Sequence, residues 1–407
     1  MLAALSLAGV VAANPPGPPP TGRTVTKAIP AAKLVPAAFD DLPGWDTDDH
    51  LAAFKAFHRS CARLIAAAKA GNLAGKVATP PPLLAACHDS LVAPQPKTRA
   101  AARAYFETAF APHRVVHGNP QGLLTGYYEP LLEGSRVPTE RFKTPLYKRP
   151  PDLINLVHEA ERGAVGMSLT HARRTNAGVV PFATRAEIDK GALKGRGLEL
   201  LWLADPVDVF FLQIQGSGRI RLPDGTFIRV HYDGKNGHPY SSIGRYLIDR
   251  GILAADRLSM QALGRWLRAD PERARPVMWH NESYVFFREL VGPEAEGPLG
   301  VLEIPLTAGR SLAVDTAHHA IGLPVYVTSP TLTHARTPKG FNRLMIAQDV
   351  GSAIRGPERG DIYFGSGDRA GGIAGITKHP GNFFVLMPKS VAVGPAVVAP
   401  AAAPVKR

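Results

Sequence analysis

Apolar positions along this chain change their spacing at about residue 122. Before it they recur every three or four residues. Leu51, Phe54, Phe57, Cys61, Leu64 and Ile65 share one face of a helix that Asp46 or Thr47 is placed to cap. Thr79-Pro80-Pro81-Pro82 breaks that helix, and a further one carries Ala101, Tyr105, Phe106 and Phe110. After residue 122 the period is two. A strand ends in Gly126-Tyr127-Tyr128-Glu129-Pro130. Asp208 to Gln215 alternates, with Phe210, Leu212 and Ile214 on one face and Phe211, Gln213 and Gln215 on the other. Two amides on one strand face suit hydrogen bonding to a polar ligand. Pro223-Asp224-Gly225 turns a hairpin between Ile220-Leu222 and Phe227-Tyr232. Ser242 caps a short helix that stops at Gly251, and another starts at Ser259. From 299 onward the runs 311–315, 324–328, 343–349, 361–364 and 382–387 read as short strands separated by Gly and Pro. Such a compact series predicts a small barrel.

The ends read differently. Residues 1–13 are apolar and uncharged, and Val11-Ala12-Ala13 before Asn14 fits a small-x-small cleavage site. That predicts an exported, periplasmic protein. Leu7-Ala8-Gly9 would form a lipobox with a following Cys, but Val10 follows, so no lipid anchor is predicted, while association with the outer membrane stays open as an alternative. Residues 14–35 read as a Pro-rich linker and 390–407 as a disordered tail. No transmembrane helix is expected.

Composition narrows the chemistry. The 407 residues include 40 Gly and 38 Pro, which favours turn-rich β architecture over a helical bundle. The formal net charge of +13 favours an anionic partner such as an acidic wall polymer. The Arg residues are scattered, so nucleic acid is not the expected partner. The two cysteines, Cys61 and Cys87, are a disulfide candidate in an exported chain, or two buried thiols on neighbouring helices. No zinc-protease, P-loop or nucleophile-elbow motif occurs. His318-His319 lacks metal-ligand spacing, and Gly365-Ser366-Gly367 lacks the crossover unit of a dinucleotide site. Neither a metal nor a cofactor is expected. The informative residues are Asp315, Asp349 and Asp361, each at the end of an apolar strand. A carboxyl group on a semi-apolar face is costly unless hydrogen-bonded or used, and burial there raises its pKa toward that of a general acid.

Nine stretches in order, over about 125–389, resemble the membrane-bound lytic murein transglycosylase A family (glycoside hydrolase family 102). They are Thr125-Gly-Tyr-Tyr-Glu-Pro130, Pro181-Phe-Ala-Thr-Arg-Ala-Glu-Ile188, Gln213-Ile-Gln-Gly-Ser-Gly218, Gly234-Lys-Asn-Gly-His238 and 241–251, then 281–287, 305–315, 343–349 and 353–363. The resemblance implies a mainly β fold with a helical N-terminal segment (36–125): a double-psi β-barrel, its 3D-domain part at 300–389, with a second β-rich domain inserted at 126–290. It implies that Asp361 is the catalytic acid, that Asp349 and Asp315 support it, and that Tyr127, Gln213, Gln215, Lys235 and Asn236 lie around a glycan groove. The implied reaction cleaves the bond between N-acetylmuramic acid and N-acetylglucosamine and leaves 1,6-anhydromuramyl ends. Peptidoglycan strands are the implied partner, with cell-wall synthesis machinery as a protein partner. The same carboxylates also accommodate a hydrolase with Asp349 as base, or a non-catalytic wall-binding protein. Ser352 stands where the family commonly has Gly.

Overall fold

The computed structural model describes residues 32–71, 79–118, 121–156, 169–292, 297–335 and 339–389. The signal-like segment, the linker up to Ala31 and the tail from Ser390 lie outside the described residues. Helix α1 (His50–Lys69) is capped by Asp49, which accepts from Ala52 N; Asp46 and Thr47 sit instead in the short turn around the buried Trp45. Pro81 opens α2 (Pro81–Val92), where a missing N–H costs nothing. Thr98 caps α3 (Arg99–Ala109). Phe54, Phe57, Phe106 and Phe110 pack edge-on or tilted beneath these helices, with centroids 5.7–6.4 Å apart. Cys61 and Cys87 form a disulfide between α1 and α2.

The strands in chain order are β1 (Lys33–Pro36), β2 (Phe110–Val116), β3 (Gly122–Glu129), β4 (Leu131–Ser135), β5 (Thr144–Tyr147) and β6 (Leu153–Asn155). Next come β7 (His171–Thr175), β8 (Gly178–Val180), β9 (Glu199–Leu203), β10 (Ser217–Arg221), β11 (Phe227–Lys235) and β12 (Val285–Leu290). The last are β13 (Ser311–Ala313), β14 (Pro324–Ser329), β15 (Phe341–Asp349), β16 (Arg359–Ser366) and β17 (Lys378–Pro388). An eight-stranded sheet runs β1-β2-β17-β14-β15-β13-β16-β3, and β17 also pairs with β3. The chain leaves this sheet after β3 and returns at β13. Between those points it builds a six-stranded sheet, β12-β11-β10-β4-β9-β5, and a three-stranded one, β6-β7-β8. The largest core lies between the eight-stranded sheet and α1–α3, joining Phe57, Leu64 and Phe106 to Val325, Ile346 and Phe383.

Three expectations are corrected. Residues 33–35, assigned to the linker, form β1, because their backbone pairs antiparallel with 114–116 of β2. Residues 208–215, read as an alternating strand, belong to a helix, Pro206–Gln215. Asp205 caps it, Pro206 occupies its first turn, and Gly216 (φ 79°) ends it in a left-handed conformation. This helix is apolar on two sides. Val209 and Leu212 face the six-stranded sheet, while Val207 and Phe210 face the helices Ile243–Asp249, Met260–Arg268 and Pro271–Trp279. Two buried faces on one helix blur the period of 3.6 into apparent alternation. With these helices the fold is mixed helix and strand, not mainly β.

Candidate active site

Strand register brings the acidic residues together. Ala313 on β13 lies opposite Asp349 of β15 on one side and Asp361 of β16 on the other, with a register shift beside it. The two α-carbons are therefore two strand spacings apart, roughly 10 Å. Both carboxylates face a cavity of about 750 Å³. β3 runs parallel to β16, with Thr125 opposite Asp361 and Tyr127 opposite Tyr363. Thr125 and Tyr127 are two residues apart, so their side chains share a face. Thr125 Oγ1 donates to Asp361 Oδ1 at 2.5 Å, and Tyr127 OH donates to Asp349 Oδ2 at 2.7 Å. Val350 N donates to the other oxygen of Asp349 at 2.9 Å. Each carboxylate thus has its own hydroxyl donor on the same strand.

Burial dominates the electrostatics. It pushes the Asp349 carboxyl up to about 6; the Tyr127 and Val350 hydrogen bonds oppose this and the Asp361 charge adds to it. Burial also raises Asp361, against the Thr125 hydrogen bond and the Arg359 charge. The Tyr127 phenol is held well above its ordinary range by burial and then by Asp349. Two carboxyls raised in one cavity form a coupled acid–base pair, of the kind found where proton transfer occurs.

The other predicted residues separate. Asp315 does not line the cavity. Its oxygens accept from Ala317 N at 3.0 Å and Gly356 N at 2.8 Å, so it fixes the loop 350–356 that forms one rim. Burial opposes its ionisation, but those N–H groups and Arg355 prevail and keep it below the usual carboxylate range. Lys235 lines the cavity, with Nζ 3.4 Å from Ser352 Oγ and from His238 O, and burial lowers its pKa. The Ser352 hydroxyl therefore reaches the lysine opposite. Gln215 lines the cavity, and its Oε1 accepts from Tyr128 N at 3.0 Å, tying the helix to β3. Gln213 lines the cavity at 5% exposure. Asn236 is a correction: it is fully buried and is not among the lining residues. Its Nδ2 donates to Ala183 O and Glu282 O, and its Oδ1 accepts from Tyr284 N. The irregularity between Tyr232 and Gly234 (φ 135°) sets which side chain after it turns inward.

Thr125, His231 and Arg185 also line the cavity and were missed as individuals. The alternation of Thr125 with Tyr127 was the available signal for the first. Arg185 lies in the quoted stretch 181–188, which was its signal, and nothing local marks His231.

A cleft of sugar-sized volume that holds two raised carboxyls is suited to general acid–base chemistry. The comparisons agree. The MltA specific insert domain matches residues 123–288, and the 3D domain matches residues 310–387. The chain is 34% identical over 275 residues to membrane-bound lytic murein transglycosylase A of Vibrio cholerae, which covers 66% of this chain and 67% of that protein. The crystal structure of a membrane-bound lytic murein transglycosylase from Agrobacterium tumefaciens superposes with a TM-score of 0.80 at 39% identity, covering 88% of this chain and 98% of that one. Escherichia coli MltA with bound chitohexaose superposes at 0.60 with 26% identity, covering 89% and 93%. This chain belongs to the membrane-bound lytic murein transglycosylase A family.

Proposed function

We propose that this protein is a lytic transglycosylase that cleaves the β-1,4 bond between N-acetylmuramic acid and N-acetylglucosamine in peptidoglycan, with Asp361 as the single acid and base. The observation that carries this reading is the pair of raised carboxyls flanking Ala313, each with its own hydroxyl donor, in a cavity large enough for a sugar. Burial raises the Asp361 carboxyl above its ordinary range, the direction that favours a retained proton. That proton passes to the glycosidic oxygen as the bond to C1 breaks. The C6 hydroxyl of the muramic acid closes onto C1, and its proton returns to Asp361. No water is consumed, the product is a 1,6-anhydromuramyl end, and the acid is restored. The attacking hydroxyl belongs to the same sugar, so its effective concentration is high. Asp349 is ionised near neutral pH and stabilises the positive charge developing at C1. This division of labour needs one proton donor, whereas ordinary glycosidases need two working carboxyls.

The circuit of pairings β17-β14-β15-β13-β16-β3-β17, with parallel pairs β13–β15 and β3–β16, supports reading those strands as a double-psi β-barrel. We assign 36–125 to a helical segment leading into it, 126–290 to the inserted domain and 300–389 to the barrel part with Asp361. Asp315 supports the site through the loop it holds. A peptidoglycan substrate supports a periplasmic location and the cell-wall synthesis machinery as a protein partner. Among the described residues no helix is long and apolar enough to cross a membrane.

The test is digestion of purified sacculi, read by mass spectrometry. The wild type releases anhydro-muropeptides, and Asp361→Asn or Asp361→Ala folds but releases none. Products one water heavier would establish hydrolysis instead, and full activity in either variant would remove Asp361 from the chemistry.

A further inference from the structure

Glu129 is a buried acid that takes no part in the proton transfer. It is the last residue of β3, 1% exposed, and it does not line the cavity that holds Asp349 and Asp361. Its place on the strand is informative. Thr125, Tyr127 and Glu129 alternate along β3, so their side chains share a face. The first two bond the carboxyl pair. Glu129 continues the row onto β16. There the register runs Asp361 to Thr125 and Tyr363 to Tyr127, then slips by one residue so that Ser366 lies opposite Glu129. Gly365 (φ 111°) absorbs the slip.

One oxygen of Glu129 takes two donors from different sheets. Ser366 Oγ donates to Oε2 at 2.6 Å, and Arg219 Nε donates to the same atom at 2.8 Å. Ser366 belongs to the eight-stranded sheet and Arg219 to β10 of the inserted one, at the point where the chain passes from β3 to β4. Ser366 Oγ lies 3.3 Å from the Tyr363 hydroxyl. Because the serine proton goes to Glu129, the Tyr363 phenol is the donor of that contact. The Glu129 charge acts on Tyr363 against those of Arg219 and Arg229. The Tyr363 ring packs on the Tyr127 ring, with centroids 5.4 Å apart, and Tyr127 OH donates to Asp349. A buried ion pair adds little net stability over apolar side chains of the same volume, and its best-attested use is to fix geometry. The geometry at the end of this row is a phenol–carboxylate hydrogen bond, which weakens steeply when its length or angle changes.

We propose that Glu129 is a positioning residue: by holding Ser366 and, through it, Tyr363, it seats the Tyr127 phenol on Asp349, and Arg219 ties that clamp to the inserted domain. This rests on the acid–base reading of the site above and adds the buried group that keeps it aligned.

The test follows the Asp349 carboxyl itself, by NMR titration of protein carrying isotope-labelled aspartate, with Asp349→Asn identifying the signal. The acid limb of anhydro-muropeptide release is read in parallel. Weakening a bond to the ionised form raises the carboxyl. Ser366→Ala, at an exposed position, cuts the link and leaves the Glu129–Arg219 pair in place. It should raise the Asp349 titration by about half a unit, a roughly threefold loss of rate on the acid limb that fades toward pH 8. Ser366→Thr keeps the hydroxyl and should restore the original titration. Glu129→Gln should shift it in the same direction as Ser366→Ala. Ser366→Ala placed on top of Tyr127→Phe should add nothing, because the bond it seats is already gone. An unmoved Asp349 titration in Ser366→Ala, or a shift that adds in full to that of Tyr127→Phe, overturns the assignment, whatever the melting temperatures do. If Glu129→Gln does not fold, Ser366→Ala and its threonine rescue decide. The titration needs no turnover, so a finding of hydrolysis in sacculus digestion would overturn the function above and leave this test intact.

Discussion

Tyr127→Phe isolates the carboxyl pair from the rest of the cleft. The substitution removes one oxygen and leaves the ring against Tyr363, whose centroid lies 5.4 Å away. What is lost is the 2.7 Å hydrogen bond from the phenol to Asp349. A hydrogen bond to a charged group contributes about 1.5–3 kcal/mol, which corresponds to roughly one to two pH units at ~1.4 kcal/mol per unit. This bond favours the ionised form, so its loss raises Asp349 further, from about 6 to roughly 7–8. The proposed mechanism uses Asp349 ionised and Asp361 protonated. The acid limb of the rate profile therefore reports the former and the alkaline limb the latter, as macroscopic values of a coupled pair. At pH 7 the ionised fraction of Asp349 falls from about nine-tenths to between half and a tenth, so turnover drops roughly two- to tenfold. The assay is release of anhydro-muropeptides from sacculi across pH 4.5–9. The acid limb should move up by about one to two units, and the loss should shrink as pH rises toward 8. An unmoved acid limb would refute the electrostatic role. A loss of equal size at every pH would show that Tyr127 acts by touching the substrate.

Asp349→Asn should stabilise the fold at neutral pH. A carboxyl raised to about 6 costs stability as pH rises from about 4 to 6, because the unfolded chain releases that proton first. The gain at pH 7 should be about 1–2 kcal/mol, short of the ~3 for two full units because the side chain is partly open to water. It should vanish below pH 4 in denaturant titrations. Asp48→Ala removes half of a buried bidentate pair with Arg310 (2.8 and 2.9 Å) and the acceptor for Leu344 N. It should cost about 3–5 kcal/mol in chemical unfolding, while activity per folded molecule persists. The double substitution Cys61→Ser, Cys87→Ser opens a loop of sequence separation 26. It should lower stability by about 3 kcal/mol, and a reductant should no longer change the melting temperature.

Several elements could be read locally because short-range chemistry specifies them. The face of α1, the 223–225 hairpin turn and the end of β15 at Asp349 each depend on a few neighbours in sequence, whereas Pro81 and Pro82 open α2 rather than break α1, and Asp361 lies inside β16. Ordered motifs identified the family and pointed to Asp361. Tertiary structure decided what depends on distant partners. The helix over 206–215 is covered on two sides by segments far along the chain, so its own pattern could not reveal its period. Asn236 and Lys235 are adjacent, yet an irregularity in β11 gives one to the backbone and the other to the cleft. The matching of Thr125 to Asp361 and of Tyr127 to Asp349 arises from strands more than 200 residues apart in sequence. An amino-acid sequence lists which groups exist. Whether a carboxyl keeps its proton depends on how much water the fold removes and which donors the register sets against it, and both are properties of the assembled sheet.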